Sequence, residues 1–219
     1  MTDARTPSAS RAAIVSAPPT AASRAAIQRP PVRFCSACGA ERIEFRIPEG
    51  DTLPRNVCAA CGAIHYQNPK IVVGCLPEVD DQVLLCLRAI EPRRGLWTLP
   101  AGFLENGETL TAGAVRETLE EANARVAIGP LYTIISLPHI SQIYMMFRAQ
   151  LLDRDFGPGP ESLDVRLFDE DAIPWEELAF RTIGRTLRNY FLDRKLGTLQ
   201  TRVSSLERRA PRPDLSGAG

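Results

Sequence analysis

The chain has 219 residues, with Lys+Arg and Asp+Glu equal at 26 each, 44% hydrophobic residues and 24% charged ones. That length suffices for one full-size domain and a small one, and no stretch approaches the roughly 20 consecutive apolar residues of a membrane-spanning helix. A helical membrane protein, a coiled coil and a wholly disordered chain are excluded, and no membrane partner is expected.

The overall neutrality hides a segregation of charge. Residues 1–33 carry a net +4 and residues 201–219 a net +2, which leaves −6 for the part between. An acidic middle argues against a broad electrostatic grip on nucleic acid and suits a site that gathers divalent cations.

Residues 1–33 are mostly Ala, Ser, Pro, Thr and Arg without a sustained apolar period, and are expected to be disordered. The same Arg- and Ser-rich, acid-poor composition is that of an organelle transit peptide, whereas no uninterrupted apolar core marks a secretory signal. The expected location is the cytoplasm, or an organelle if the extension is a transit peptide.

Residues 34–66 hold two short cysteine pairs, Cys35-Ser36-Ala37-Cys38 and Cys58-Ala59-Ala60-Cys61, separated by 19 residues and each followed by Gly. This paired C-x2-C spacing is that of tetrahedral zinc ribbons, with the Gly allowing the positive φ that closes each knuckle. Two disulfides are the competing reading, but a chain without a secretory signal is expected in a reducing compartment, where thiols persist. Four thiolates leave no coordination position for water, so Cys35, Cys38, Cys58 and Cys61 are expected to hold a structural Zn2+.

Residues 67–200 are expected to form the main domain. The pattern predicts strands at 71–76 and 82–87, a short extended segment at 97–103 and a helix at 110–122. Further strands follow at 125–137, 142–152 and 164–168, with helices at 174–178 and 180–195. Interleaved strands and helices make the class mixed, α/β or α+β. Cys75 and Cys86 lie in apolar strand runs and read as small buried hydrophobes. The polar residues 201–219 are expected to form a disordered tail.

In the helix at 110–122, Glu117, Glu120 and Glu121 stand at i, i+3 and i+4, which puts three carboxylates on one face of a single turn. Like charges so close repel one another unless a cation lies among them, and hard ions such as Mg2+ or Mn2+ prefer an all-oxygen surround completed by phosphate. By itself such a face is more often merely solvated; the preceding Gly-rich stretch from Gly95 to Glu108 changes the balance.

Together these residues resemble the Nudix box, G-x5-E-x7-R-E-U-x-E-E-x-G-U, where U is a bulky aliphatic residue. Gly102, Glu108, Arg116, Glu117, Glu120 and Glu121 fall at the required spacings. Thr118 and Ala124 replace aliphatic residues, and Asn123 replaces the Gly. Asn tolerates the left-handed conformation at a helix end, while the other two changes concern core volume.

The four-Cys ribbon, the linking IHYQNPKIVVG, the box and the later FGPGPESLDVRLFDEDAIPWEELAF extend the likeness over about 34–196, to the zinc-ribbon Nudix hydrolases, a group that includes the plant chloroplast enzyme splitting FAD and ADP-ribose.

That resemblance implies a Nudix fold, a mixed sheet sandwiched between helices and preceded by a small N-terminal zinc ribbon. It also implies hydrolysis of a nucleoside diphosphate linked to another moiety, X. Glu117, Glu120, Glu121 and the carbonyl of Gly102 would hold Mg2+ or Mn2+, Arg116 would orient the acids, Glu108 would support the loop and helix, and Glu120 or Glu121 would accept the proton. Glu161, in a Pro/Gly loop, is a candidate further ligand or base, and equally an exposed loop acid.

NADH-cleaving relatives carry an S-Q-P-W-P-F-type segment after the box, which Ser136-Leu137-Pro138-His139-Ile140-Ser141-Gln142 matches poorly, so ADP-ribose and FAD rank above NADH as the substrate. Tyr132, Tyr144 and Phe147 could stack on adenine, though strand alternation assigns at least two of them to the core.

The competing class is a non-catalytic ribbon and ligand sensor that binds nucleic acid or protein. All the metal-binding acids are kept, however, and the ribbon interior carries three basic residues against four acidic ones, poor material for phosphate contacts. The expected partner is a nucleotide-diphosphate substrate, with a homodimer left open.

Overall fold

The computed structural model describes residues 32–208; the extension before residue 32 and the tail beyond 208, both expected to be disordered, lie outside the described residues. The ribbon is a three-stranded antiparallel sheet, β1 (Ile43–Arg46), β2 (Arg55–Cys58) and β3 (Ile64–His65), in the order β1-β2-β3.

The main domain carries β4 (Lys70–Val79), β5 (Gln82–Arg88), β6 (Trp97–Thr98), β7 (Ala101–Phe103), α1 (Leu110–Ala122), β8 (Val126–Leu137), β9 (Gln142–Leu151), β10 (Ser162–Phe168), α2 (Arg181–Leu196) and β11 (Arg202–Ser205). Its eight-stranded sheet runs β10-β5-β4-β9-β8-β11, with β6 paired to β5 and β7 to β4. The β4–β9 and β8–β11 pairs are parallel and the others antiparallel, so the sheet is mixed. Among the described residues no helix is long and apolar enough to cross a membrane.

Period-2 alternation in β4 and β5 splits the core in two. Leu76, Val83 and Leu85 pack on Ile183, Leu187, Tyr190 and Phe191 of α2. Val73 and Cys75 meet Ala114 of α1 on the opposite face, where Leu84 and Cys86 meet Ala122 and Ala124. The α2 positions lie at i, i+4, i+7 and i+8, one helical stripe, and each fully buried Leu or Ile there contributes about 1.5–3 kcal/mol. Burial pushes the Cys75 thiol up to about 11 and the Cys86 thiol up as well, which keeps both protonated and inert.

One boundary needs correction. The tail expected from residue 201 begins instead with β11, which pairs with β8 from Arg202↔Thr133 to Ser205↔Ser136. Arg202 Nε donates to the buried Asp193 carboxylate at 2.6 Å, Tyr132 Oη donates to the same group at 2.8 Å, and Leu206 is buried against Ile135 and Leu137. The strand is held by an ion pair and one apolar anchor rather than by an apolar repeat, so composition does not reveal it.

The predicted helix over 174–178 is a single 3-10 turn, Trp175–Glu177, because the segment is too short to propagate.

Candidate active site

Both C-x2-C segments close as the same knuckle. The Gly39 N–H donates to the Cys35 carbonyl at 2.8 Å and the Gly62 N–H to the Cys58 carbonyl at 2.9 Å, with φ of 75° and 77° at the glycines. This brings Cys35 Sγ to 3.7 Å from Cys61 Sγ and Cys38 Sγ to 3.6 Å from Cys58 Sγ, with all four sulfurs within 4.8 Å of one another. A tetrahedral ion with metal–sulfur bonds of about 2.3 Å requires ligand–ligand edges of about 3.8 Å. The quartet therefore fits a tetrahedral metal. The Cys61 backbone N–H, helped by that of Ala60, holds the Cys58 thiol down to about 7, while against the lowering pull of the Ala40 backbone the Cys61 and Cys58 sulfurs push the Cys38 thiol up to about 12, so one of this pair keeps its proton until a cation replaces it.

The acid cluster is built on α1. Thr109 caps the helix, its hydroxyl accepting from the Ala112 N–H at 3.1 Å. At the other end Asn123 takes the left-handed conformation, φ 47°, and donates its N–H to the Leu119 carbonyl. The stripe Ala114, Thr118, Glu121 and Ala122 faces the sheet. Thr118 fills its place by donating its hydroxyl to the Ala114 carbonyl at 2.8 Å, so the departure from an aliphatic residue there leaves no unpaired polar group.

Glu121 is thus a carboxylate on the buried face, 5% exposed, with one oxygen accepting from the Ala101 N–H at 3.3 Å. Burial, reinforced by the charge of Glu117, pushes its pKa up to about 8. Glu117 is raised too, again first by burial. Glu120 is exposed. A buried carboxylate beside other carboxylates is an electrostatic deficit that a divalent cation would relieve, so this donor set fits a hard metal.

Arg116 runs through the middle of the cluster. Its Nε and Nη2 donate to Glu108 at 2.6 and 3.0 Å, and Nη1 donates to Glu117 at 2.7 Å and Glu120 at 2.8 Å. Glu108 is tied back by the Glu105 N–H at 3.1 Å and is held below its ordinary pKa by the guanidinium. Because Arg116 draws Glu117 and Glu120 toward itself while Glu121 turns to Ala101, the three acids share a face without converging as tightly as the four thiols.

Gly102, on β7, lies directly against Glu117. A Cβ built there would overlap all three atoms of the Glu117 carboxyl group, so only glycine lets strand and carboxylate approach this closely.

Glu161 reaches the site through a second close approach. The loop at 156–160 caps the C-terminal end of α1. Gly157 and Gly159 N–H groups donate to the Ala122 and Glu121 carbonyls at 2.9 and 3.0 Å, and Asn123 Nδ2 donates to the Gly157 and Pro158 carbonyls. A Cβ at Gly159 would collide with the Glu120 carbonyl. The loop then delivers Glu161 to the cavity wall, near enough for its charge to raise Glu117 and Glu121.

Gly102, Arg116, Glu117, Glu120, Glu121 and Glu161 line one cavity of about 1270 Å³, ample for a dinucleotide-sized ligand. The segment at 137–142 forms part of its wall through Leu137, His139, Ile140 and Gln142, beside Tyr144; of the three aromatic candidates, Tyr132 and Phe147 are core residues. Sequence reasoning missed Arg88, Phe180 and Arg181, which also line it. They come from a strand end and a helix start and form no motif, so no spacing could have pointed to them.

Comparison with known proteins follows the same division. A zinc-ribbon Nudix N-terminal model matches residues 33–67, and a NUDIX domain model matches residues 68–189. A solved NUDIX hydrolase from Nitrosomonas europaea is 60% identical with a TM-score of 0.78, covering 81% of this chain and 100% of its own. The ADP-ribose pyrophosphatase of Methanocaldococcus jannaschii is 30% identical over 52% of this chain and 69% of its own. The NAD-capped RNA hydrolase NudC of Stutzerimonas stutzeri is 33% identical over 75% of this chain, which spans only 58% of that relative's length. With its box acids on one helix, its mixed sheet and a four-cysteine ribbon ahead of them, the chain belongs to the Nudix hydrolase family.

Proposed function

We propose that the protein is a divalent-metal-dependent hydrolase that cleaves the diphosphate of a nucleoside diphosphate linked to X, with ADP-ribose or FAD as its substrate. The observation that carries this reading is the buried, like-charged Glu121 beside Glu117, Glu120 and Gly102 on the floor of a dinucleotide-sized cavity. Glu117, Glu120, Glu121 and the Gly102 carbonyl would hold Mg2+ or Mn2+. Bound there, the ions supply neutralisation of the diphosphate oxygens and a water of lowered pKa.

The chain's own residues do the rest. Arg116 fixes Glu117 and Glu120 in place, Glu108 fixes Arg116, and Glu120 or Glu121 takes the proton of the attacking water as its oxygen bonds to one phosphorus and the bond from that phosphorus to the bridging oxygen breaks, the bridging oxygen leaving with the other phosphate. These carboxylates interact closely enough to share their titration. Glu161, anchored through its loop to the end of α1, is a further ligand or base. In the ribbon, the four thiolates would hold Zn2+ as a structural tie.

A second reading, NAD(H) as substrate, is favoured by the NudC relatives, whose matches cover 75% and 77% of this chain. The segment at 136–142 argues for ADP-ribose or FAD, since it departs from S-Q-P-W-P-F where it lines the cavity.

Incubation with Mg2+ or Mn2+ and ADP-ribose, FAD or NADH, with product identification, decides between them. AMP with ribose 5-phosphate or FMN is expected. AMP with reduced nicotinamide mononucleotide as the faster product would move the assignment to NADH, and free nicotinamide or adenine would overturn diphosphate cleavage altogether.

A further inference from the structure

Arginines on the cavity wall differ in what occupies their guanidinium groups. Arg116 is saturated by carboxylates, Arg181 Nη1 donates to the Glu207 carbonyl at 2.9 Å, and Arg93 stands on an exposed loop. Arg88 is held yet unspent. It ends β5, where its backbone is clamped on both sides: its N–H donates to the Leu96 carbonyl at 3.0 Å and its carbonyl accepts from the Gly95 N–H at 2.9 Å.

Its side chain is fixed as well. Nε donates to the Pro92 carbonyl at 3.0 Å, and the guanidinium stacks over the Phe180 ring at 5.2 Å from the centroid. Among the described residues neither Nη group has a hydrogen-bond partner and no carboxylate comes within 4.0 Å, although Glu121 and Glu161 line the same cavity. The neighbouring Ala89 N–H donates to the Glu161 carbonyl at 2.8 Å, and Arg88 pairs across the sheet with Ser162, so the guanidinium and the Glu161 segment share one rim. Its positive charge is felt by both Glu121 and Tyr144.

An orientationally fixed guanidinium with its planar fork free, on the wall of a cavity crowded with carboxylates, is arranged for an anion that must enter against those carboxylates. Phosphate matches the fork in shape and charge. From this geometry we infer that Arg88 is the substrate's phosphate-holding residue, its Nη groups donating to non-bridging oxygens of the diphosphate. The inference rests on the hydrolase reading above and adds to it a residue outside the box. The phosphate held is the adenosine-side one, so the contact exists before and after cleavage, because the product AMP keeps that phosphate. It should therefore be visible as binding as well as turnover.

The test compares wild type, Arg88→Gln and Arg88→Lys by steady-state kinetics on whichever diphosphate wild type cleaves, and by calorimetric titration with AMP and with adenosine in Mg2+. Arg88→Gln is expected to lower kcat/KM and AMP affinity by about 10- to 100-fold, the loss of a charge-assisted contact, with adenosine affinity unchanged. Arg88→Lys, keeping the charge but not the fork, should recover only part.

Should Arg88→Gln melt early, the Arg88→Lys comparison carries the test, a partial loss confined to AMP being the expected result. A kcat/KM and an AMP affinity within twofold of wild type would overturn the inference, as would equal losses for AMP and adenosine, which would mean that the guanidinium shapes the cavity instead. If wild type cleaves no nucleoside diphosphate, the functional reading fails, and the contrast between AMP and adenosine alone decides the role of Arg88.

Discussion

Gly102→Ala separates position from charge at the acid cluster, because it removes no ligand. The backbone at Gly102 is not left-handed, and its strand pairing with Val73 uses no side chain, so alanine is compatible with the local conformation. What alanine adds is a methyl group well inside the 3.0 Å that real Cβ contacts respect, pressed on the carboxyl end of Glu117. To regain ordinary contact beyond 3.4 Å the carboxylate must retreat by about 1 Å from a place where Arg116 already holds it at 2.7 Å. Because the displaced group is the end of a flexible side chain, stability should change little. Misplacing a reacting group by about 1 Å costs on the order of 10²-fold in rate, so turnover in Mg2+ should fall by about that factor with the melting temperature within a few degrees of wild type. Turnover within threefold of wild type would refute the assignment of Glu117 and Gly102 to one metal-holding surface.

Glu120→Gln and Glu121→Gln should each reduce turnover by on the order of 10² or more with folding largely preserved, and Glu161→Gln by less; circular dichroism and product assays on the same preparations check both halves of this expectation. Metal analysis should find about one Zn2+ per chain, and Cys61→Ser should lower the melting temperature before it alters KM, because the thiolates tie the ribbon together. Arg202 and Tyr132 hold the Asp193 carboxyl below its ordinary value. A depressed carboxyl contributes stability that is fully present above the unfolded pKa of about 3.9 and is lost as pH falls toward the folded value. Melting temperatures measured from pH 6 down to pH 2.5 should fall more steeply below pH 4 in wild type than in Asp193→Asn, and parallel curves would contradict the role given to this pair.

The box was legible because its chemistry is local: three acids within one helical turn, a glycine and an arginine at fixed offsets along a single strand-loop-helix unit. The same holds for the ribbon, where each knuckle is a short turn closed by its own glycine. The strands were readable within a few residues wherever alternation separates two buried faces, as in β4 and β5.

Contacts made across the fold were not legible. Asn123 looked like a tolerated substitute for glycine, yet its amide also fastens the loop that delivers Glu161, 38 positions further along the chain. Arg88 stands at the end of an apolar run, and its distinction is what surrounds it: the Pro92 carbonyl, the Phe180 ring and the absence of a carboxylate partner among the described residues. β11 has a single large apolar residue, Val203, and that residue is 72% exposed; its place is set by Asp193, nine residues earlier on α2.

Anyone shortening this protein for expression would be led by its composition to stop at residue 200, and β11 makes that choice costly. Cutting there strips the parallel partner from Thr133 through Ser136 and leaves the outer rim of β8 with a row of open hydrogen-bonding groups, the kind of edge on which chains add to one another and precipitate. It also withdraws Arg202 from Asp193, stranding a charge in the interior beneath α2. A version ending after Glu207 keeps the rim covered, keeps Leu206 in its seat and keeps the carbonyl that receives Arg181. The difference between a soluble preparation and an aggregating one should lie in those seven residues, 201–207.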